Sequence, residues 1–263
     1  MNNKFVAAVV LNGLGSAAIF AASEAWAADG NSFSLATGFD YSTGKYGLAD
    51  TTNILSIPVV GMYSTGPWAF KLTVPYVRIS GVGGVLPDGR RIRSPMAAMN
   101  TRSTTQSGLG DIVAAATFNL YSVSESNLGV DLTGKVKFGT ASTSLGTGQN
   151  DYGAQVDVYQ RWDRFTPMVV LGYEVLGSPA GVDMNNVAYG TLGGYYQITD
   201  QAGGGAEMMV SQRPSVIGAE QRELTAYVSH RIDGSHIISG YVLKGFSDGS
   251  PDSGFGVKVS SDL

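Results

Sequence analysis

Apolar and polar residues alternate along most of the chain after residue 30, in segments of about 10 to 13 residues separated by turn residues. The segment 128–138 shows the pattern best. Its even-numbered positions are apolar or glycine, and its odd-numbered positions include Asp131, Thr133, Lys135 and Lys137. Because successive side chains of a strand point to opposite faces, this period of two predicts a strand with one apolar and one polar face.

Twelve segments of this kind are predicted to be strands. They lie near residues 33–42, 52–63, 68–80, 110–121, 128–139, 152–162, 166–176, 187–197, 202–212, 222–232, 236–246 and 254–263. A strand that crosses a bilayer at the usual tilt needs about 9 to 11 residues, so the lengths fit a membrane barrel. Bacterial single-chain barrels also have an even number of strands.

The connections between these segments alternate in length. Connections after the even-numbered segments are short, and those after the odd-numbered segments are mostly longer, at 43–51, 81–109, 140–151, 177–186, 213–221 and 247–253. Short periplasmic turns and long outer loops give this alternation, whereas the Greek-key crossings of a sandwich do not. The predicted fold is therefore all-β, a closed antiparallel transmembrane β-barrel of about 12 strands with both termini on the periplasmic side.

Two features fit this prediction less well. Pro58 and Pro75 lie inside predicted strands, where a missing N–H interrupts the hydrogen-bond ladder, so they are expected to mark bulges or bends. The segment 187–197 is apolar on both faces, which leaves its orientation open.

Aromatic residues gather toward both ends of the predicted strands, as expected where rings lie at the two bilayer interfaces. Those beside the predicted periplasmic turns are Tyr63, Trp68, Tyr121, Trp162, Phe165, Tyr195 and Tyr196. Those toward the outer end are Tyr41, Tyr46, Tyr76, Tyr152 and Phe246.

The first residues have the pattern of an export signal. Lys4 gives a positive start, residues 5–20 form an apolar stretch, and the Ala-Trp-Ala at 25–27 fits the small-x-small rule for signal peptidase. We therefore predict a cleaved signal peptide at 1–27 and a barrel domain at 28–263. An uncleaved membrane anchor is disfavoured, because the apolar stretch is short and interrupted by asparagine and glycine.

The composition agrees with a membrane barrel. The chain has 36 glycines and 13 tyrosines, no cysteine, and only 14% charged residues, against a globular norm of about 25%. The absence of cysteine excludes disulfides and thiolate metal sites. A formal net charge of −4 gives no reason to expect nucleic acid as a partner.

Charged side chains in the strands are predicted to face the lumen, because a basic group facing lipid at mid-membrane costs roughly 2–4 kcal/mol. The predicted lumen set is Lys71, Asp111, Asp131, Lys135, Lys137, Asp157, Arg161, Glu174, Glu207, Glu223, Arg231, Lys244 and Lys258. Mixed signs on neighbouring strands allow either ion pairs that plug the barrel or a wet path for a solute. Barrels of about 8 strands are filled by side chains, whereas porins of about 16 to 18 strands enclose an open channel. A barrel of twelve strands is intermediate in size, and we favour a narrow pathway.

The longest predicted loop, 81–109, carries a basic cluster of Arg90, Arg91, Arg93 and Arg102. Arginine forks suit phosphate oxygens, so this cluster is predicted to contact lipopolysaccharide at the outer leaflet. Two alternatives stay open. The loop folds inward as a constriction that attracts anions, or it is a solvated loop without a ligand.

Catalytic groups are scarce. The two histidines, His230 and His236, both lie beside the predicted periplasmic turn 233–235, whereas lipid-modifying barrels place a histidine and a serine near the outer leaflet. One histidine per strand end and no cysteine make a metal centre unexpected. Glycine runs at 193–194 and 203–205 lack the lysine and the helix of a phosphate-binding loop. We expect no enzyme activity and no cofactor.

Several short motifs resemble those of a known family. They are Val74-Pro75-Tyr76, Ser107-Gly108-Leu109-Gly110-Asp111, Lys137-Phe138-Gly139-Thr140 and Leu145-Gly146-Thr147-Gly148. Together they resemble the outer-membrane proteins linked to the meta-pathway of phenol degradation. The resemblance implies a barrel that passes small, often aromatic or apolar, molecules. The C-terminus departs from the usual pattern, since outer-membrane chains usually end in phenylalanine and this one ends in Leu263.

The expected function is passive passage of small molecules, aromatic or apolar ones among them, across the bacterial outer membrane. The alternative is a non-transporting structural or surface-interaction barrel with a lumen sealed by ion pairs. Expected partners are outer-membrane lipid and lipopolysaccharide, the solute, and the barrel-assembly machinery. That machinery is expected to recognise the apolar stripe of Phe255, Val257, Val259 and Leu263.

Overall fold

The computed structural model describes residues 6–10, 19–23, 31–91, 103–123 and 127–263. Near the N-terminus, β1 (Val6–Val10) and β2 (Ile19–Ser23) pair antiparallel. The predicted cleavage site lies outside the described residues, so the signal peptide stays a prediction. No helix within the described ranges is both long enough and apolar enough to cross a membrane.

Thirteen further strands form one sheet. They are β3 (Ser32–Gly44), β4 (Thr52–Thr65), β5 (Trp68–Gly81), β6 (Thr104–Leu109), β7 (Ile112–Val123), β8 (Leu128–Phe138), β9 (Asp151–Gln160), β10 (Phe165–Val175), β11 (Val187–Gln197), β12 (Ala202–Ser211), β13 (Gln221–Arg231), β14 (His236–Gly245) and β15 (Ser253–Asp262). Their bounds agree with the predicted segments to within about two residues, with one exception. The strand predicted near 110–121 begins earlier, because the polar residues 104–107 also pair with β5.

The sheet closes on itself. Neighbouring strands pair antiparallel around the ring, and β15 returns to pair with β3, where Val257 lies opposite Phe39. β6 and β7 both pair with β5 and are separated by Gly110 and Asp111, so they are two halves of one barrel strand. The predicted closed barrel of twelve antiparallel strands is therefore confirmed.

The two strand prolines mark an irregular patch of the wall. Pro58 and Pro75 lie opposite each other on β4 and β5. At Pro75 the partner of β5 changes from β7 to β6, and the Gly110 N–H donates to the Pro75 carbonyl at 2.8 Å. The pairing of β4 with β5 is regular through both prolines, so the bulges predicted within these two strands are not seen. The irregularity lies on the neighbouring barrel strand, between β6 and β7.

The distribution of apolar and polar side chains in the barrel is the reverse of that in a soluble globular protein. Apolar side chains cover the outer face, and Leu171, Leu192 and Val242 keep 63%, 65% and 61% of their surface accessible. Polar side chains on the inner face are buried, among them Asp131 at 0% and Thr133 at 2%. An apolar outer wall around a polar interior is what a barrel presents when it spans a bilayer.

The orientation of β11, left open by its sequence, follows from this rule. Tyr189, Thr191 and Tyr195 face inward and are buried, whereas Leu192 and Tyr196 are exposed on the outer face. The strand looks apolar on both faces because two of its inward residues are tyrosines.

Exposed aromatic rings form a band at each end of the outer wall. The periplasmic band includes Tyr63, Trp68, Tyr121, Trp162, Phe165 and Tyr196, and the outer band includes Tyr76, Tyr152, Phe246 and Phe255. Two residues assigned to these bands from the sequence lie inside the barrel instead. Tyr195 faces the lumen, and Tyr46, at 2% exposure, is buried in the outer mouth.

Candidate functional site

The lumen is lined by charged and hydroxyl-bearing side chains. Register and burial place most of the predicted lumen residues on the inner face, namely Lys71, Asp111, Asp131, Lys135, Lys137, Asp157, Glu174, Glu207, Glu223, Arg231 and Lys258. Asp40 and Asp151 belong to the same inner face and were missed from the sequence. Asp40 could have been predicted, because it lies in a predicted strand and charged side chains in strands are expected to face inward.

One cross-strand row joins a lysine to a glutamate. The register places Ala115, Lys135, Gly153 and Glu174 on four successive strands of the wall. The Lys135 ammonium forms an ion pair with Glu174, two strands away. A β-carbon on Gly153 would lie 2.6 Å from Lys135 Cε, so glycine leaves room for the lysine where it crosses the intervening strand.

A second cluster lies where β3, β14 and β15 meet. The Tyr241 hydroxyl donates to Asp40 Oδ1 at 2.8 Å, and Lys258 Nζ lies 3.7 Å from the same oxygen. Lys71 is within electrostatic range of Lys258 and Lys135. Two of these three lysines, Lys135 and Lys258, lie beside carboxylates, so positive and negative groups alternate along this part of the wall.

An acidic pair lies on the same part of the wall, nearer the periplasmic end of β8. Asp131 and Asp157 are direct cross-strand partners on β8 and β9. Asn119 donates to Asp131 at 2.6 Å, and Gln155 donates to both oxygens of Asp157 at 2.9 and 3.0 Å. Gln155 in turn accepts a hydrogen bond from the Tyr189 hydroxyl at 2.7 Å. Amide and phenol groups therefore extend this network along the wall.

Five tyrosines face the lumen, and each lies against a glycine of a neighbouring strand. The pairs are Tyr159 with Gly129, Tyr189 with Gly172, Tyr195 with Gly203, Tyr227 with Gly205, and Tyr241 with Gly256. A β-carbon on any of these glycines would come within 1.9 to 2.6 Å of its tyrosine. The rings can therefore lie along the wall, where a side chain other than glycine would push them into the lumen.

The outer mouth is covered by a segment that folds inward. Within residues 82–91, a bridge joins Val85 to Arg91, and the turn between them contains Gly89 with a φ of 78°. Apolar residues of the segment pack with residues of the neighbouring loops and with the outer ends of β4 and β5. The cluster comprises Tyr46, Leu48, Ile54, Val77, Ile79, Val82, Val85, Ala141 and Leu145.

Arg90 anchors this inward segment. It is 2% exposed, and its guanidinium lies 2.5 Å from Asp88 and 2.9 Å from Asp151 at the outer end of β9. Lys137 completes the network, at 2.7 Å from Asp111 and 3.3 Å from Asp151. On the other side of the mouth, Gln221 donates to the Asp88 carbonyl at 3.2 Å. The segment is thus tied to two separate parts of the wall, at β9 and at β13.

These contacts correct the prediction for the basic loop. Arg90 is buried in the mouth, and Arg91 is 9% exposed and donates to the Gly47 carbonyl at 3.3 Å, so neither presents a free fork to lipopolysaccharide. The physical reason is the apolar content of residues 82–86, which carries the segment onto the hydrophobic cluster. The inward alternative describes these two arginines better. Arg93 and Arg102 lie outside the described residues.

Two residues of the predicted lumen set lie elsewhere. Lys244 is exposed on the outer face, opposite Leu224, because the inward positions of β14 are taken by Tyr241 and Leu243. Arg161 follows β9 at the periplasmic rim. There it lines a polar hollow of about 310 Å³, together with Asn127, Asp163, Arg164, Gln197, Thr199 and Asp200.

Both histidines lie beside the periplasmic turn 233–235, as predicted. His230 and His236 are exposed, and His236 Nδ1 lies 2.9 Å from Asp233 Oδ1. The Ser235 N–H and the His236 ring both bind the Asp233 carboxylate, and these hydrogen bonds lower the pKa of that carboxyl. The contacts stabilise a turn.

The chain matches no protein-family model and no curated protein sequence. Among solved structures it is similar to an outer membrane channel from Pseudomonas putida F1, with a TM-score of 0.68 and 10% identity over 89% of this chain and 96% of that chain. It is also similar to the NanC porin, with a TM-score of 0.58 and 11% identity over 87% of this chain and all (100%) of that chain. A third similar structure is the KdgM porin in complex with disordered oligogalacturonate, with a TM-score of 0.50 and 9% identity over 87% of this chain and 98% of that chain.

At these identities the likeness is one of fold. This fold and the apolar, aromatic-banded outer wall together place the barrel in the bacterial outer membrane, as predicted. The resemblance to proteins of the phenol meta-pathway stays a prediction.

Proposed function

We propose that this chain is a passive outer-membrane channel for small molecules, and that small aromatic solutes with polar substituents suit it best. Movement is by diffusion down a gradient, and the side chains of the lumen and the inward segment 82–91 set the selectivity. No energy source takes part.

The observation that carries this proposal is the row of tyrosine–glycine pairs along the inner wall. A phenol ring lying against a glycine stays close to the wall and occupies little of the cross-section of the lumen. Aromatic solutes can stack on such rings, and their hydroxyl or carboxyl groups can exchange hydrogen bonds with the wall. Tyr195 and Tyr227 already form a stacked pair, with centroids 6.5 Å apart and planes 15° apart.

The charges of the lumen support the same proposal. Lys135 is paired with Glu174, and Lys258 lies beside Asp40, so much of the charge is neutralised along the wall. Charges that are already paired attract a solute less than free charges do, and they keep the interior hydrated. A solute that crosses by diffusion must enter and leave easily, and such a lining permits both.

The experiment uses the mature barrel reconstituted in planar bilayers and in liposomes. We expect single-channel conductance and faster uptake of 4-hydroxybenzoate than of a sugar of similar size. Empty liposomes and liposomes with a heat-denatured sample give the background. Absence of both conductance and uptake above that background would exclude the channel function.

A sealed barrel is the second candidate, favoured by one observation. The network of Arg90, Asp88, Asp151 and Lys137 joins the inward segment to the wall and covers part of the mouth. If that network closes the passage, the wild-type barrel is silent in bilayers and conducts when Arg90 is replaced. Conductance of the wild-type protein excludes this candidate.

A further inference from the structure

Two cations lie side by side on the outer face of β13 and β14, at their extracellular ends. Lys244 lies opposite Leu224, and Arg222 is one step further out, where its carbonyl accepts the Phe246 N–H at 2.8 Å. Diagonal neighbours on adjacent antiparallel strands lie about 7–8 Å apart. Two long cationic side chains at that spacing can reach the same anionic group.

Their position along the strand indicates the headgroup level of the outer leaflet. Among the strands that the structure describes, the lysines and arginines that face outward are Arg78, Arg222 and Lys244. All three lie in the extracellular part of the barrel. An outward cation is costly at the membrane midplane and nearly free at the interface, so this distribution marks the interface.

The wall beside and below the two cations is apolar and open. Val210 lies opposite Arg222, Leu224 lies opposite Lys244, and Val242 lies nearer the membrane midplane. These three side chains keep 48%, 43% and 61% of their surface accessible. Phe246, at 56%, lies at the level of Arg222. A lipid whose phosphate reaches the two cations can therefore place its acyl chains against apolar side chains.

The arginine is held in place and is available to an anion. Its backbone N–H donates to Ser250 Oγ at 2.9 Å, and its guanidinium lies 3.3 Å from Glu220. Both side chains of that ion pair are about half exposed, at 55% and 48%. A pair this exposed is weak, so a phosphate can displace the carboxylate.

We propose that Arg222 and Lys244 form a binding site for a phosphate group of the outer-leaflet glycolipid, the acylated and phosphorylated sugar of the bacterial cell surface. Arg222 supplies a planar fork for two phosphate oxygens, and Lys244 supplies a compact second charge. Leu224, Val242 and Val210 contact the acyl chains. This site takes the role that the sequence assigned to Arg90 and Arg91, and it does not depend on whether the lumen conducts.

The test measures binding of lipid A to the full-length protein in detergent, by native mass spectrometry at several salt concentrations. Bisphosphorylated lipid A is compared with its dephosphorylated form. For the double variant R222Q/K244Q we expect affinity for the bisphosphorylated lipid to fall roughly thirty-fold, equivalent to about 2 kcal/mol for two surface cations. Binding of the dephosphorylated lipid should not change.

Arg164→Gln is the matched control, since Arg164 is an exposed cation at the opposite, periplasmic end. It should bind lipid A like the wild type. Glu220→Gln should strengthen binding, because it removes the competing carboxylate. Equal affinity of the double variant and the wild type, or equal binding of the two lipid forms by the wild type, would overturn the proposal. Conductance of the double variant should match the wild type, which keeps this test separate from that of the channel.

Discussion

The side chain of Lys135 passes over Gly153 on the neighbouring strand and ends at Glu174 on the strand beyond. The crossing is possible because glycine has no β-carbon. Were one present, it would lie 2.6 Å from Lys135 Cε and 2.9 Å from Cγ. An ion pair across three strands thus depends on the smallest residue of the row.

Gly153→Ala should push Lys135 aside and weaken its pair with Glu174. Glu174 then stays buried without its base, so we expect the free energy of unfolding to fall by about 1–3 kcal/mol. Urea unfolding in lipid vesicles, followed by tryptophan fluorescence, measures the loss. Gly134→Ala is the control, since a β-carbon there meets nothing within 4 Å. Equal losses in the two variants would contradict the explanation.

Lys135→Met should destabilise the barrel more than the double variant K135M/E174L does. The single change leaves a buried carboxylate without its partner, which typically costs about 3–5 kcal/mol. The double change removes both charges and restores a neutral wall. The same unfolding assay gives both values, and a double variant that is no more stable than the single variant would disprove the coupling.

Arg90→Ala should release segment 82–91 from Asp151 and widen the outer mouth. We expect single-channel conductance to rise by roughly two-fold or more, because the segment obstructs the entrance. Planar-bilayer recordings measure the change. Lys45→Ala changes an exposed cation of a neighbouring loop and should conduct like the wild type. An R90A barrel that folds normally and conducts like the wild type would show that the segment does not control passage.

Gly172→Ala should force the Tyr189 ring away from the wall. A β-carbon there would lie 2.1 Å from the ring, and the three nearest atoms all belong to Tyr189. The displaced ring loses its hydrogen bond to Gln155 and enters the lumen, so conductance and uptake of 4-hydroxybenzoate should fall. The double variant G172A/Y189A should recover conductance, because the obstructing ring is gone. Unchanged conductance in the single variant would count against the wall arrangement.

Local alternation was enough to predict the barrel and most strand bounds. The segment 128–138 has an apolar residue or glycine at every second position, and the structure places its polar positions inside as expected. The outer half of the fourth strand was not predicted, because residues 104–107 are all polar and exposed. They extend the wall beyond the lipid, where no apolar face is needed.

The errors concern residues whose environment depends on distant parts of the chain. From the sequence alone Arg90 resembles a surface cation, because its partner Asp151 is far away along the chain and meets it only in the folded mouth. Tyr195 and Tyr196 are adjacent, so only the register shows which of them faces inward. Lys244 faces outward, against the expectation that charged side chains in strands face the lumen. The cost of exposing a basic group to lipid becomes small near the membrane surface, where Lys244 lies.

Closure of this barrel joins the first barrel strand to the last, down to the hydrogen bond from the Leu263 N–H to the Phe33 carbonyl at 2.8 Å. Contacts between such distant positions form late, after the intervening hairpins. Until then a half-built sheet has two edges whose backbone groups lack partners, which hydrocarbon tolerates poorly. Insertion therefore has to shelter both edges until the C-terminal strand arrives, and an unfinished chain is the most vulnerable form of this protein.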